Sequence, residues 1–249
     1  WQRVYAGLPS PVLQDAAFNY FNHMRSAMWG RDGQYRQWES LEFADWSNPT
    51  NGDERHLPYF HNLPETMRSK IVAEVGHAQD EDGMFHCVIV SAKGDAQWGN
   101  GDVCKDSGAR ALHPDDITMV MVGTHEHVVM NNDTALMQTI YPNLLKAFQY
   151  YVSTYNTTKW QVPYMAHETY DAVKEAGNIT GEGNLGSSLY NSVNYLTGLH
   201  CMADFAQLMG DGKTQAQAQS MIVQVRTSIE TNFWQPSVGY YLGDTVGYV

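Results

Sequence analysis

The stretch LGSSLYNSVNYLTGLHCMADFAQLMGDGKTQAQAQSMIVQVRTSIETNF, Leu185 to Phe233, decides the class of fold. It reads as two helices, about Leu185–Met209 and Thr214–Phe233, separated by the turn Gly210-Asp211-Gly212. Glycine and aspartate punctuate helices because one tolerates left-handed backbone and the other bonds its own neighbouring amides. Upstream, Asp133 to Tyr155 reads as another helix, interrupted or kinked near Pro142, where the ring removes a donor. Pro114-Asp115-Asp116 opens a helix running to about Met130, and Leu63 to Ala78 forms one with Pro64 and Glu65 in its first turn. Nearest the start, Ser10-Pro11 supplies an N-cap with proline at the first helical position. Val12, Ala16, Tyr20, Met24 and Met28 follow at i, i+4 spacing with Leu13, Ala17 and Phe21 alongside, and that helix is expected to end at Gly30.

Between the helices lie segments of another kind. Asp45 to Arg55 is rich in Asn, Asp, Gly and Pro, residues 79–112 show little periodicity, and 159–184 carries Gly177, Gly181 and Gly183. Long irregular loops in a compact domain are usually functional. Helices joined alternately by short turns and long loops predict an all-α fold, an (α/α)6 toroid, with the long loops at one end building the site. A plain helical bundle is the alternative, although it has no need of two such loops. About six or seven helices are legible, fewer than a closed toroid requires, so the ring is expected to be incomplete in this chain. Trp1 and Val249 read as the edges of a fragment.

The 249 residues are 43% hydrophobic and 17% charged, enough apolar material for a packed core. A net charge of −12 without a basic cluster argues against phosphate backbones and anionic membranes as partners. A neutral ligand such as a sugar fits better, and 15 Tyr and 7 Trp could stack on it, though such rings also fill cores. No apolar run approaches the roughly 18 residues of a transmembrane helix. Three cysteines, Cys87, Cys104 and Cys201, give no disulfide framework; Cys87 and Cys104 either bridge or remain thiols. Three acceptor sequons, at Asn132, Asn156 and Asn178, point toward a secreted or lumenal protein.

Two clusters carry candidate chemistry. Tyr35-Arg36-Gln37-Trp38-Glu39-Ser40-Leu41-Glu42-Phe43 places two carboxylates among aromatic and apolar side chains, where they are costly unless paired or used. Its plain reading is an exposed acidic turn. His167-Glu168-Thr169-Tyr170-Asp171 opens a glycine-rich stretch, and its plain reading is a capping or turn motif. Glycoside hydrolysis needs a carboxylate pair, about 5–5.5 Å apart in retaining enzymes and about 6.5–9.5 Å in inverting ones.

The two clusters and their spacing resemble the family of non-lysosomal glucosylceramidases and related bacterial β-glucosidases, glycoside hydrolase family one hundred and sixteen. That family carries its nucleophile on the first Glu of a Leu-Glu-Gly-x-Glu-Tyr segment and its acid/base on the Asp of Gln-Thr-Tyr-Asp. The resemblance implies Glu39 as nucleophile supported by Glu42, Asp171 as acid/base, and Thr169 as a sugar contact. It nominates His86, in Gly83-Met84-Phe85-His86, as a further glucose contact, with Trp38 and Tyr170 beside the carboxylates as substrate-binding residues. Gly183 to Tyr195 matches the family's glycine-containing loop and Tyr-rich helix. Where the family has a glucose-binding Asp eleven residues after its nucleophile this chain has Thr50, with Asp53 nearby. The resemblance makes residues 1–249 a partial catalytic domain lacking the family's N-terminal β-sandwich and last barrel helices, and dependent on those remaining parts of its own polypeptide. The family draws further glucose-binding Glu and Arg residues from a segment beyond Val249.

These readings converge on a retaining exo-β-glycosidase, a β-glucosidase or glucosylceramidase acting on a carbohydrate or glycolipid without metal or organic cofactor. Glu39 would attack the anomeric carbon. Asp171 would protonate the leaving oxygen and then deprotonate water, held protonated near neutral pH by burial beside Tyr170 and a second carboxylate. The alternatives are an inverting toroid glycosidase on oligosaccharides and a non-catalytic carbohydrate-binding or structural extracellular protein, the latter kept open by Thr50. Other motifs are weaker. His125-Glu126-His127 lacks the HExxH spacing of a zinc site, and its imidazoles point to different helix faces. His56 and His61 match no ligand pattern, Ser187-Ser188 lacks a GxSxG context, and Asp80-Glu81-Asp82-Gly83 reads as a solvated turn rather than a calcium loop.

Overall fold

A computed structural model of the chain describes residues 9–26, 28–31, 34–37, 46–47, 64–77, 79, 81–85, 89–90, 115–156, 158–163 and 187–243. The described residues are mostly helical, as an all-α class requires. The helices are α1 (Pro11–Ser26), α2 (Pro64–His77), α3 (Asp115–Asn131), α4 (Thr134–Thr154), α5 (Leu189–Met209) and α6 (Gly212–Asn232). Short antiparallel ladders accompany them: β1 (Met28–Arg31) with β2 (Gln34–Gln37), β3 (Trp46–Ser47) with β4 (Ile89–Val90), and β5 (Trp234–Gln235) with β6 (Tyr240–Tyr241).

Local chemistry sets the helix ends. Asp133 caps α4, its Oδ1 accepting from the Leu136 amide at 2.9 Å. Ser188 caps α5 through Oγ to the Asn191 amide at 3.0 Å, and Asp211 caps α6 through Oδ1 to the Thr214 amide at 3.0 Å. Each oxygen satisfies one of the amides that a helix start leaves unpaired. At the end of α5, Gly210 adopts φ 71°, and the Asp211 amide reaches back to the Ala206 carbonyl at 2.8 Å. That is a Schellman closure, which an L side chain at Gly210 would strain.

Helix α5 is the centre of the core and packs against α3, α4 and α6. Its buried positions include Asn191, Tyr195, Leu199, Cys201, Met202, Phe205 and Ala206, spread over more than one face because neighbours lie on more than one side. Helix α6 covers only one side of it. Its buried residues Thr214, Ala218, Met221, Val225 and Ile229 form a single stripe, opposite exposed residues such as Val223 and Arg226. Helix α2 adds Met67, Ile71 and Val75, completing the layer against α3 and α4. Two close approaches need glycine. A Cβ on Gly198 of α5 would sit 2.7 Å from the Tyr151 hydroxyl of α4, and one on Gly83 would meet the Lys146 backbone carbonyl of α4.

Three expectations are corrected. The first helix stops at Ser26, not Gly30, because Met28–Arg31 pairs with Gln34–Gln37 as a ladder instead of continuing the turn. The described members of its apolar stripe do not face a core: Val12 is 76% and Leu13 49% exposed, and Ala16 is exposed too. The Asp45–Arg55 segment and the 79–112 excursion are not wholly irregular, since Trp46 pairs with Val90 and Ser47 with Ile89. Helix α4 runs through Pro142 without interruption; the proline lies on its exposed side, and the missing donor leaves the buried stripe from Leu136 to Tyr151 intact.

Candidate functional site

The predicted catalytic residues Glu39 and Asp171 lie outside the described residues, as do Trp38, Glu42, Asp53, His86, Thr169 and Tyr170. The framework next to them in the chain is defined. Glu39 follows the end of β2 at Gln37 by two residues, and Glu42 precedes β3 by four. His86 precedes β4 by three residues. The β3–β4 ladder therefore ties the chain just beyond Glu42 to the chain just beyond His86. Thr169, Tyr170 and Asp171 fall in the sequence between Pro163, past the end of α4, and Ser187, before the cap of α5. Cys87, Cys104, Asn178, Thr50, His56 and His61 also lie outside the described residues.

Where α4 ends and α5 begins, a polar cluster joins three helices. Thr118 Oγ1 donates to the Asn194 carbonyl at 2.9 Å and lies 2.6 Å from the Tyr151 hydroxyl. A threonine has one hydroxyl proton, so the Tyr151 hydroxyl donates to Thr118. Tyr151, Tyr155 and Tyr195 stack around this link, with Tyr195 edge-on to Tyr151 at 4.9 Å and to Tyr155 at 5.3 Å. The Tyr195 hydroxyl is buried and finds no hydrogen-bond partner among the described residues; burial raises its pKa above the ordinary phenol value. The start of α5 is held from outside by the Leu189 amide, which donates to the Gly243 carbonyl at 2.8 Å. These contacts fix where the chain leaves α4 and where it enters α5.

A second cluster sits at the opposite end of α3. Asp133 Oδ2 accepts from Arg68 Nε at 2.9 Å and lies 3.3 Å from His127 Nε2, while Asn131 Nδ2 lies 3.3 Å from His127 Nδ1. With Asn131 donating to Nδ1, the proton sits on Nε2 and points at Asp133. Burial pulls the Asp133 pKa upward, but the Leu136 amide, His127 and Arg68 outweigh it and hold the carboxyl below its ordinary value. Among the described residues this cluster caps α4 and ties Arg68 of α2 and His127 of α3 to the turn before it.

His125 and His127 face different sides of α3, as an i, i+2 pair on a helix must. His125 is half-buried against Asp204 of α5 at 2.9 Å, and His127 turns the other way, 2% exposed, toward Asp133. Among the described residues, no group of His, Cys, Asp and Glu side chains could hold a metal ion. Asp82 accepts from the Met84 amide at 3.1 Å, so residues 81–83 form a turn that Gly83 closes with φ 103°; Asp80 lies outside the described residues. Ser188 is a helix cap, in keeping with its lack of a nucleophile-elbow context.

No protein-family model matches the chain, and no curated protein matches it. Among the described residues no helix is long and apolar enough to cross a membrane. The polar cluster around Thr118, Tyr151 and Asn194 has no signature in the sequence. Each of the three is a single polar residue on a different helix, so no local spacing points to their meeting.

Proposed function

We propose that this chain is the larger part of the (α/α)6 catalytic domain of a retaining exo-β-glycosidase, cleaving β-glucosides of the glucosylceramide class or smaller. The observation that carries this reading is the pairing of Trp38-Glu39-Ser40-Leu41-Glu42-Phe43 with Glu168-Thr169-Tyr170-Asp171, and the likeness of both to the glucosylceramidase motifs. The all-α framework of the described residues supports it. So does the β3–β4 ladder, which joins the chain beyond Glu42 to the chain beyond His86.

In this mechanism Glu39 attacks the anomeric carbon as Asp171 protonates the departing oxygen, forming a glycosyl-enzyme. Asp171, now a carboxylate, takes a proton from the water that releases the sugar with its configuration kept. Thr169, His86, Trp38, Tyr170, Glu42 and Asp53 orient the sugar.

The test uses the full-length polypeptide and aryl β-glucosides. Glu39→Gln is expected to lower kcat by ~10³-fold or more, since the covalent intermediate cannot form. Asp171→Ala with an activated aryl leaving group and added azide is expected to yield β-glucosyl azide, because deglycosylation then needs no general base. Near-normal turnover by Glu39→Gln overturns the assignment. An α-anomer as first product moves the protein to the inverting class.

A further inference from the structure

We infer that Asn132, in the turn between α3 and α4, carries an N-linked glycan, and that Asn156 does not. This goes beyond the glycosidase reading and stands independently of it. The described residues contain two Asn-x-Thr sequons, and the fold treats them differently.

Around Asn132-Asp133-Thr134 the three side chains divide. Asn132 and Thr134 are exposed, whereas Asp133 turns inward to cap α4 and to bond Arg68 and His127. Asn132 has φ 51°, a left-handed conformation that asparagine tolerates and that aims its side chain out of the turn. A glycan there leaves the Asp133 network untouched. At Asn156-Thr157-Thr158 the geometry is opposite. The Thr158 hydroxyl, which a sequon must present, donates to the Val162 carbonyl at 2.6 Å and accepts from the Val162 amide at 3.1 Å. Asn156 is itself only half-exposed, between the buried Tyr155 and the turn that Thr158 closes. A glycan there would compete with the fold.

The neighbourhood of Asn132 also has a use for a sugar. Val129 and Met130, at the end of α3, are 65% and 57% exposed. Two large apolar side chains side by side in water favour association, and a hydrated oligosaccharide two residues away screens them. In the attachment, the Asn132 amide nitrogen bonds to the anomeric carbon of an oligosaccharide carried on a lipid pyrophosphate. The bond from that carbon to the pyrophosphate oxygen breaks, the nitrogen loses one proton, and the lipid pyrophosphate departs.

The experiment expresses the full chain behind a cleavable secretory leader in a eukaryotic host and analyses both secreted and cell-associated protein. Peptide-N-glycosidase digestion in ¹⁸O-water is expected to convert Asn132 to ¹⁸O-labelled Asp and to leave Asn156 unlabelled. Thr134→Ala, which keeps Asn132 and its left-handed turn, is expected to remove the label and raise the aggregated fraction severalfold. Val129→Ser with Met130→Ser should then return that fraction toward the glycosylated level. Unlabelled Asn132 in both pools, or labelling of Asn156 at equal or greater occupancy, overturns the inference.

Discussion

Replacing Asp133 by alanine removes three interactions at one atom pair, and their sizes are separable. Loss of the N-cap bond to the Leu136 amide costs about 1 kcal/mol. The Arg68 pair, with Arg68 43% exposed, adds ~0.2–1 kcal/mol. His127 is 2% exposed and would keep an Nε2 proton with no acceptor, worth about 1–3 kcal/mol. The three share one carboxylate and do not add fully, so Asp133→Ala is expected to destabilise by about 2–4 kcal/mol. Asp133→Asn keeps one oxygen, which serves the cap, but turns its NH2 toward the Nε2 proton of His127 and toward Arg68, so ~1–3 kcal/mol is expected. Urea unfolding followed by circular dichroism measures both, with roughly 2–4 °C of Tm per kcal/mol as a cross-check.

The pH dependence supplies a second constraint. The folded carboxyl is held below its ordinary value, so the stability it contributes is complete above the unfolded pKa near 4 and is lost as pH falls through the lower folded value. The wild-type advantage over Asp133→Asn should therefore persist at pH 6 and shrink below about pH 4. Equal unfolding midpoints for Asp133→Ala and wild type, or a gap from Asp133→Asn that widens in acid, would refute the reasoning.

Two further outcomes test the core. Gly198→Ala forces a methyl to 2.7 Å from the Tyr151 hydroxyl, so it should cost ~1–3 kcal/mol and reduce the near-ultraviolet dichroism of the tyrosine cluster. The Cys201 thiol, 7% exposed and pushed up to about 12 by burial and then by Asp204, should resist iodoacetamide at pH 8 in the folded chain and react once urea unfolds it, as peptide mass spectrometry would show.

The candidate site was legible only as chemistry. Glu39 and Asp171 are nominated because few residue types serve as nucleophile and acid, and because their neighbours resemble a family's motifs; both lie outside the described residues. The polar clusters that the fold does build were not legible, for a common reason. Thr118 meets Asn194, His125 meets Asp204 and Arg68 meets Asp133 across 76, 79 and 65 residues of chain. Nothing in the residues beside Arg68 announces an aspartate so far away.

The sequence by itself determined the helices of the core. Their periodicity and their caps at Asp133, Ser188 and Asp211 act within four residues, so local composition suffices, and α2 to α6 begin and end within a few residues of where the pattern puts them. Tertiary structure decided the rest. It halted α1 at Ser26 in favour of a ladder, joined Trp46 to Val90, and chose α5 over the equally helical α1 as the buried centre. Those outcomes depend on which surfaces meet, and a helix with an apolar stripe is buried only where another element arrives to cover it.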